Sequence, residues 1–103
     1  MAWQPVATVE AARRADPWLA VDVGETPVAV AALDGAWYAV ADACTHAGCA
    51  FSEDADLEAG VIVCNCHGSE FDLRTGEVRR GPAEQPVQIY RVRVAGDRLE
   101  VEA

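Results

Sequence analysis

The chain predicts an all-β fold, a small antiparallel sandwich or barrel, on three observations. Its apolar residues come in short, strand-length runs, several with clear alternation. Turn-forming dipeptides, Asp34-Gly35 and Gly96-Asp97, punctuate those runs. Only one stretch, Thr8 to Trp18 (TVEAARRADPW), has helical character, with Thr8 as its cap and Asp16-Pro17 as its stop.

The elements follow in order. WLAVDVG, Trp18 to Gly24, alternates apolar and polar residues and stops at a glycine. TPVAVAAL (Thr26 to Leu33) and AWYAVADA (Ala36 to Ala43) flank Asp34-Gly35, which suits the positive φ angles of a tight hairpin, so these runs predict two antiparallel strands. GVIVC, Gly60 to Cys64, is another apolar strand. EFDLRTGEV, Glu70 to Val78, reads as two short strands around Thr75-Gly76. The C-terminal run from Val87 alternates through Ile89, Val92 and Val94, turns at Gly96-Asp97 and resumes at Leu99 and Val101. Long loops are expected at 44–58 and 64–69, and a proline-bearing loop at 81–86. No repeat, linker or low-complexity segment interrupts the pattern, so a single domain over residues 1–103 is expected.

Composition narrows the function. The chain of 103 residues is 51% hydrophobic and 24% charged, which is globular rather than disordered. Its formal charge is -9, from 17 acids against 8 bases, all of them arginine. Nucleic acid and anionic membrane are therefore excluded as partners, and a basic protein surface fits. The first twenty residues hold no apolar stretch of signal-peptide length, and no run approaches a membrane span. A soluble, cytoplasmic protein is expected, and in that compartment cysteines point to metal or redox chemistry before structural disulfides.

The four cysteines and two histidines all lie between Cys44 and His67. They form two boxes, CTHAGC (Cys44 to Cys49) and CNCHGS (Cys64 to Ser69), each after an apolar strand. Each box pairs one cysteine with one histidine at ligand spacing: Cys44-x-His46 and Cys64-x-x-His67. Short spacing takes two ligands from one loop, and the long gap lets a hairpin bring the second loop opposite. Two thiolates and two imidazoles on one site follow. A structural zinc ion suits such a set in softness and number, which would make the chain an interaction domain with no redox role. Against zinc, each box mixes its ligand types, and Cys49 and Cys66 stay unexplained.

These residues resemble the Rieske iron-sulfur motif. The likeness extends through CHGSEFDLRTGEV (Cys66 to Val78) to Gly81-Pro82-Ala83, which is similar to the loop that covers the cluster in that family. The resemblance implies an antiparallel β structure whose tip carries one 2Fe-2S cluster per chain, with Cys44 and Cys64 on one iron and His46 and His67 on the other. Two neutral imidazoles in place of two thiolates lower the negative charge around the cluster and raise its potential above that of plant-type ferredoxins. Ser69 resembles the family serine that donates a hydrogen bond to a bridging sulfide. Phe71 stands where high-potential members have a tyrosine, which implies the lower half of the family's range. Rieske proteins of cytochrome bc complexes carry a disulfide at the positions of Cys49 and Cys66, while many oxygenase-type ferredoxins lack the pair. The alternative for this pair is two reduced, buried thiols.

Both histidines are used by such a cluster, so no mononuclear iron site of two histidines and a carboxylate remains, and no glycine-rich dinucleotide fingerprint is present. The chain is expected to be an electron-transfer protein rather than an enzyme. The resemblance implies a ferredoxin that passes electrons from an NAD(P)H-dependent flavin reductase to a terminal (di)oxygenase through transient electrostatic docking. Glu53, Asp54, Asp56 and Glu58 between the boxes, with Glu70 and Asp72 after them, are candidate docking acids. The alternative is a small Rieske subunit of a larger oxidoreductase such as nitrite reductase or arsenite oxidase.

Overall fold

The computed structural model describes residues 2–45 and 48–102. In chain order the elements are β1 (Trp3–Thr8), α1 (Val9–Arg14), β2 (Leu19–Val23), β3 (Thr26–Leu33), β4 (Ala36–Ala41), α2 (Phe51–Asp54) and β5 (Ala55–Glu58). They continue with β6 (Val61–Cys64), β7 (Glu70–Asp72), β8 (Val78–Arg80), β9 (Ile89–Ala95) and β10 (Arg98–Glu102). The strands make a six-stranded sheet, ordered β1-β10-β9-β4-β3-β2, and a four-stranded sheet, β5-β6-β7-β8. Every paired neighbour is antiparallel. Among the described residues no helix is long and apolar enough to cross a membrane.

Strand β3 explains the two-layer build. Its central residues are buried on both faces, which is why the segment reads as an unbroken apolar run instead of alternating. Val28 and Val30 face a core shared with Ala12, Val23, Ala39, Leu99 and Val101. Ala29 and Ala31 face the second core, with Val40, Phe51, Ile62, Phe71 and Leu73. The small alanines let the four-stranded sheet approach closely. Cys44 and Cys64 belong to this second core, so the first residue of each box is anchored between the sheets.

Two features depart from the sequence expectations. Residues 44–58 are not all loop, because α2 and β5 occupy the second half. Strand β5 pairs Ala55 with Cys64 and Leu57 with Ile62 while Asp56 and Glu58 point to solvent, and those acids mask its alternation, as charges on edge strands do. Strand β1 was not expected either. Its Pro5 argues against an ordinary strand, but β1 lies at the edge of the large sheet and its register shifts between Pro5 and Ala7, the two settings in which a strand accepts proline. Helix α1 starts as the sequence predicts, with the Ala11 N–H donating to Thr8 Oγ1 at 3.1 Å.

Candidate metal centre

The two boxes fold alike. In the first, the Cys44 N–H donates to the Cys49 carbonyl and the Gly48 N–H to the Cys44 carbonyl, both at 2.8 Å. In the second, the Cys64 N–H donates to the Ser69 carbonyl and the Gly68 N–H to the Cys64 carbonyl, both at 2.9 Å. Gly48 and Gly68 each take positive φ, +71° and +81°, which a glycine four residues after the cysteine supplies without strain. The bonding pattern thus equates Cys44 with Cys64 and Cys49 with Ser69. Cysteine and glycine at the same offset in both boxes are the sequence's trace of this repeat.

The leading cysteines meet at the base of the boxes. Cys44 and Cys64 are free thiols, 3% and 1% exposed. Burial pushes the Cys64 thiol up, the backbone N–H groups of Cys66 and His67 pull it the other way by hydrogen bonding to its sulfur, and the adjoining Cys44 thiol adds to the rise. Two buried thiols in mutual contact repel as thiolates unless a cation lies between them. With N–H donors already aimed at sulfur, this is a donor set that fits an iron bound by two thiolates and stabilised from the backbone. His67 is exposed at the surface, while His46 lies outside the described residues, as does Ala47.

Cys49 and Cys66 form a disulfide, joining the end of the first box to the middle of the second across a sequence separation of 17. An Asp54 carboxylate oxygen and the two sulfurs lie within 4.8 Å of one another. Because the sulfurs are bonded to each other, they carry no thiolate charge, and this trio is no cation site. Closing a loop of this length stabilises a fold by about 3 kcal/mol in the chain-entropy account. Replacing both cysteines with alanine is therefore expected to lower Tm by roughly 10 to 25 °C. Non-reducing thermal melts check this, and an unchanged Tm would show that the bond contributes nothing.

Several residues that sequence reasoning missed hold the boxes in place. The Asp42 carboxylate accepts from both the N–H and the hydroxyl of Ser52, bracketing the first box. The Thr45 hydroxyl donates to the Gln85 carbonyl at 2.7 Å, tying that box to the proline loop. The Asn65 N–H donates to the Asp54 carbonyl at 2.7 Å, and its amide reaches Asp56 at 3.2 Å. These are single polar residues without a motif, so no local signal marks them. Ser69 is fully buried, and its Oγ accepts the N–H of buried Ala83 at 3.0 Å. A hydroxyl that accepts one bond still has its own proton to donate.

The acids near the boxes differ in their local partners. Asp72 accepts from the N–H groups of Arg74 and Thr75 and from the Arg79 guanidinium at 2.8 Å. The Arg79 bond holds its carboxyl below the usual range, so Asp72 organises the turn after β7. Glu70 lies 3.7 Å from Arg80. None of the ion pairs among the described residues engages Glu53, Asp54, Asp56, Glu58 or Glu84.

Two antiparallel sheets presenting paired cysteine-glycine boxes, with two free thiols at their base, define a small iron-sulfur protein. The model of the Rieske [2Fe-2S] domain matches residues 2–91. The chain belongs to the Rieske [2Fe-2S] domain family, and the [2Fe-2S] cluster is its cofactor. It is 36% identical over 69 residues to the biphenyl dioxygenase ferredoxin subunit of Pseudomonas sp. strain KKS102, a match covering 67% of this chain and 63% of that relative's length. Its fold matches the ferredoxin of carbazole 1,9a-dioxygenase from Nocardioides aromaticivorans IC177, with a TM-score of 0.85 and 30% identity over 98% of this chain and 97% of that one. It is also similar to a chain in a solved complex of reduced oxygenase and oxidized ferredoxin in carbazole 1,9a-dioxygenase, with a TM-score of 0.82 and 31% identity over 96% and 91% of the two chains.

Proposed function

We propose that this chain is a single-domain, one-electron carrier, taking an electron from an NAD(P)H-dependent flavin reductase and delivering it to a terminal (di)oxygenase in the cytoplasm. The observation that carries the reading is the near full-length match, in sequence and fold, to a carbazole dioxygenase ferredoxin. In this reading Cys44 and Cys64 hold one iron and His46 and His67 the other. The bound cluster supplies reversible one-electron chemistry. The protein's part is to tune and present it. The Cys66 and His67 N–H groups reach the Cys64 sulfur, and the Ser69 hydroxyl, which accepts from Ala83, would give its own hydrogen bond to the bound cluster. Both kinds of bond favour the more negative, reduced state. Phe71, fully buried, has no phenol to add a further donor. The potential therefore belongs in the lower half of the range of about -150 to +300 mV. The exposed His67 edge is the exit to the partner.

Docking rests on charge. Asp54 lies beside the disulfide that joins the boxes, and Glu84 lines a shallow groove with Thr45, Pro82 and Gln85. A partner bearing Arg or Lys around its electron entry point complements them, giving fast, weak, salt-sensitive association. The Asp54→Asn, Glu84→Gln double variant is expected to raise the KM for this carrier in oxygenase turnover roughly fivefold at low ionic strength. The difference disappears at high salt, and Asp97→Asn, in the β9–β10 turn, leaves KM unchanged. Identical low-salt kinetics would count against docking through these acids.

The disulfide between Cys49 and Cys66 favours a second reading, a small Rieske subunit of a larger oxidoreductase such as nitrite reductase or arsenite oxidase, because many oxygenase-type ferredoxins lack the pair. Protein-film voltammetry across pH separates the two. A low midpoint that stays flat around neutral pH supports the oxygenase carrier. A high midpoint that falls with pH near neutrality supports the second reading.

A further inference from the structure

The proline loop 81–86 is tied down at points that the ligand boxes alone do not account for. At its near end, the Ala83 N–H donates to Ser69 Oγ in a buried bond of 3.0 Å. At its far end, the N–H of buried Val87 donates to the Gly76 carbonyl at 2.9 Å. Gly76 lies in the turn between β7 and β8 with φ of +80°. A Cβ there would stand 2.2 Å from the Val87 carbonyl oxygen and 3.1 Å from Ile89 Cγ2. The first distance is far inside van der Waals contact with backbone, so any side chain at 76 must drive Val87 away. Gly35 also has φ of +80°, yet a Cβ there meets nothing within 4 Å. Glycine at 76 is thus required by close approach as well as by its backbone angle.

We infer that Gly76 is a positioning residue for the cluster's tuning: its bare α-carbon lets Val87 close on the turn, which draws loop 81–86 inward so that Ala83 reaches Ser69. The consequence is chemical. When Ser69 Oγ accepts the Ala83 N–H, the oxygen is polarised and its own O–H becomes a stronger donor. Releasing Val87 slackens the loop, weakens that donation and destabilises the reduced state. The inference rests on the proposed role of Ser69 as a donor to the cluster.

Midpoint potentials of four variants test it. Ser69→Ala is expected to lower the potential, and Gly76→Ala to reproduce at least half of that fall. The double variant is expected to match Ser69→Ala alone, because Gly76 acts through the same hydroxyl. Gly35→Ala, which carries the backbone strain without the collision, is expected to lose stability and keep the wild-type potential. A wild-type potential in Gly76→Ala beside a lowered one in Ser69→Ala overturns the inference and leaves the role of Ser69 standing. An unchanged Ser69→Ala overturns both. Residue-resolved hydrogen exchange on the wild-type protein is a second test that needs no variant to fold. Ala83 and Val87 amides are expected to exchange through one opening event with matching opening free energies, and clearly different opening free energies overturn the inference.

Discussion

Cys64→Ala is expected to yield protein without visible absorption, and with iron and acid-labile sulfide below about a tenth of the wild-type content, while Cys66→Ala remains coloured. Two cysteines separated by one residue therefore have opposite expected outcomes. Cys64 ends β6, is 1% exposed and carries a free thiol against that of Cys44. Its sulfur already receives the N–H groups of Cys66 and His67, and alanine removes one of only two thiolates available to the iron. Cys66 is bonded to Cys49, so its loss removes a brace and leaves the donor set intact. Iron and sulfide assays on the two purified variants, with circular dichroism to confirm folding, decide the matter. A coloured Cys64→Ala protein beside a colourless Cys66→Ala protein would reverse the assignment. The zinc alternative predicts neither colour nor sulfide in the wild type.

Much of this site was legible because its chemistry is local. Cysteine and glycine at one shared offset mark each box, and the bonds that close the boxes run between residues at most five apart, such as Cys44 to Cys49 and Cys64 to Ser69. The hairpin at Asp34-Gly35 was legible for the same reason: both residues take positive φ, 51° and 80°, and the flanking strands pair directly. What the sequence hid is set by distant partners. Strand β5 exists because Ala55 and Leu57 face Cys64 and Ile62 across the ladder, while its acids read as loop. Strand β1 exists because β10 offers it an edge, although Pro5 argues locally against it. The Thr45 to Gln85 bond spans 40 residues, and the requirement for glycine at 76 is imposed by Val87. Neither leaves a trace in the neighbouring sequence. The bonds of Asp72 to the following turn and to Arg79 are likewise invisible in its position next to a box.

The core beneath the boxes depends on one ring. Phe51 opens α2 two residues after the first box and is fully buried. It stacks on Trp18, with centroids 6.3 Å apart at 26°, and meets the edge of Phe71 at 5.6 Å and 64°. Trp18 is itself fixed by its indole N–H donating to the Ala55 carbonyl at 3.1 Å, and Phe71 follows Ser69 by two residues on β7. The ring thus joins the exit of the first box to the exit of the second, and packs both against the large sheet. Phe51→Ala leaves a cavity among groups that cannot collapse into it, because Trp18 is held by its indole bond and Phe71 by strand β7. The expected cost is about 3–5 kcal/mol, against a total stability of about 5–15 kcal/mol for a domain of this kind. Phe51→Leu keeps most of the volume, loses the aromatic edges and is expected to cost about 1.5 kcal/mol. Urea unfolding of the cluster-free proteins, where no bound group adds to stability, checks both values. The disulfide still ties the boxes in Phe51→Ala, so the variant also separates covalent from packing support. If it unfolds near the wild-type midpoint, the Cys49–Cys66 bond alone holds the two boxes together and the aromatic trio only fills space. If it unfolds several kcal/mol earlier with the bond intact, the alignment of the boxes depends on the core beneath them.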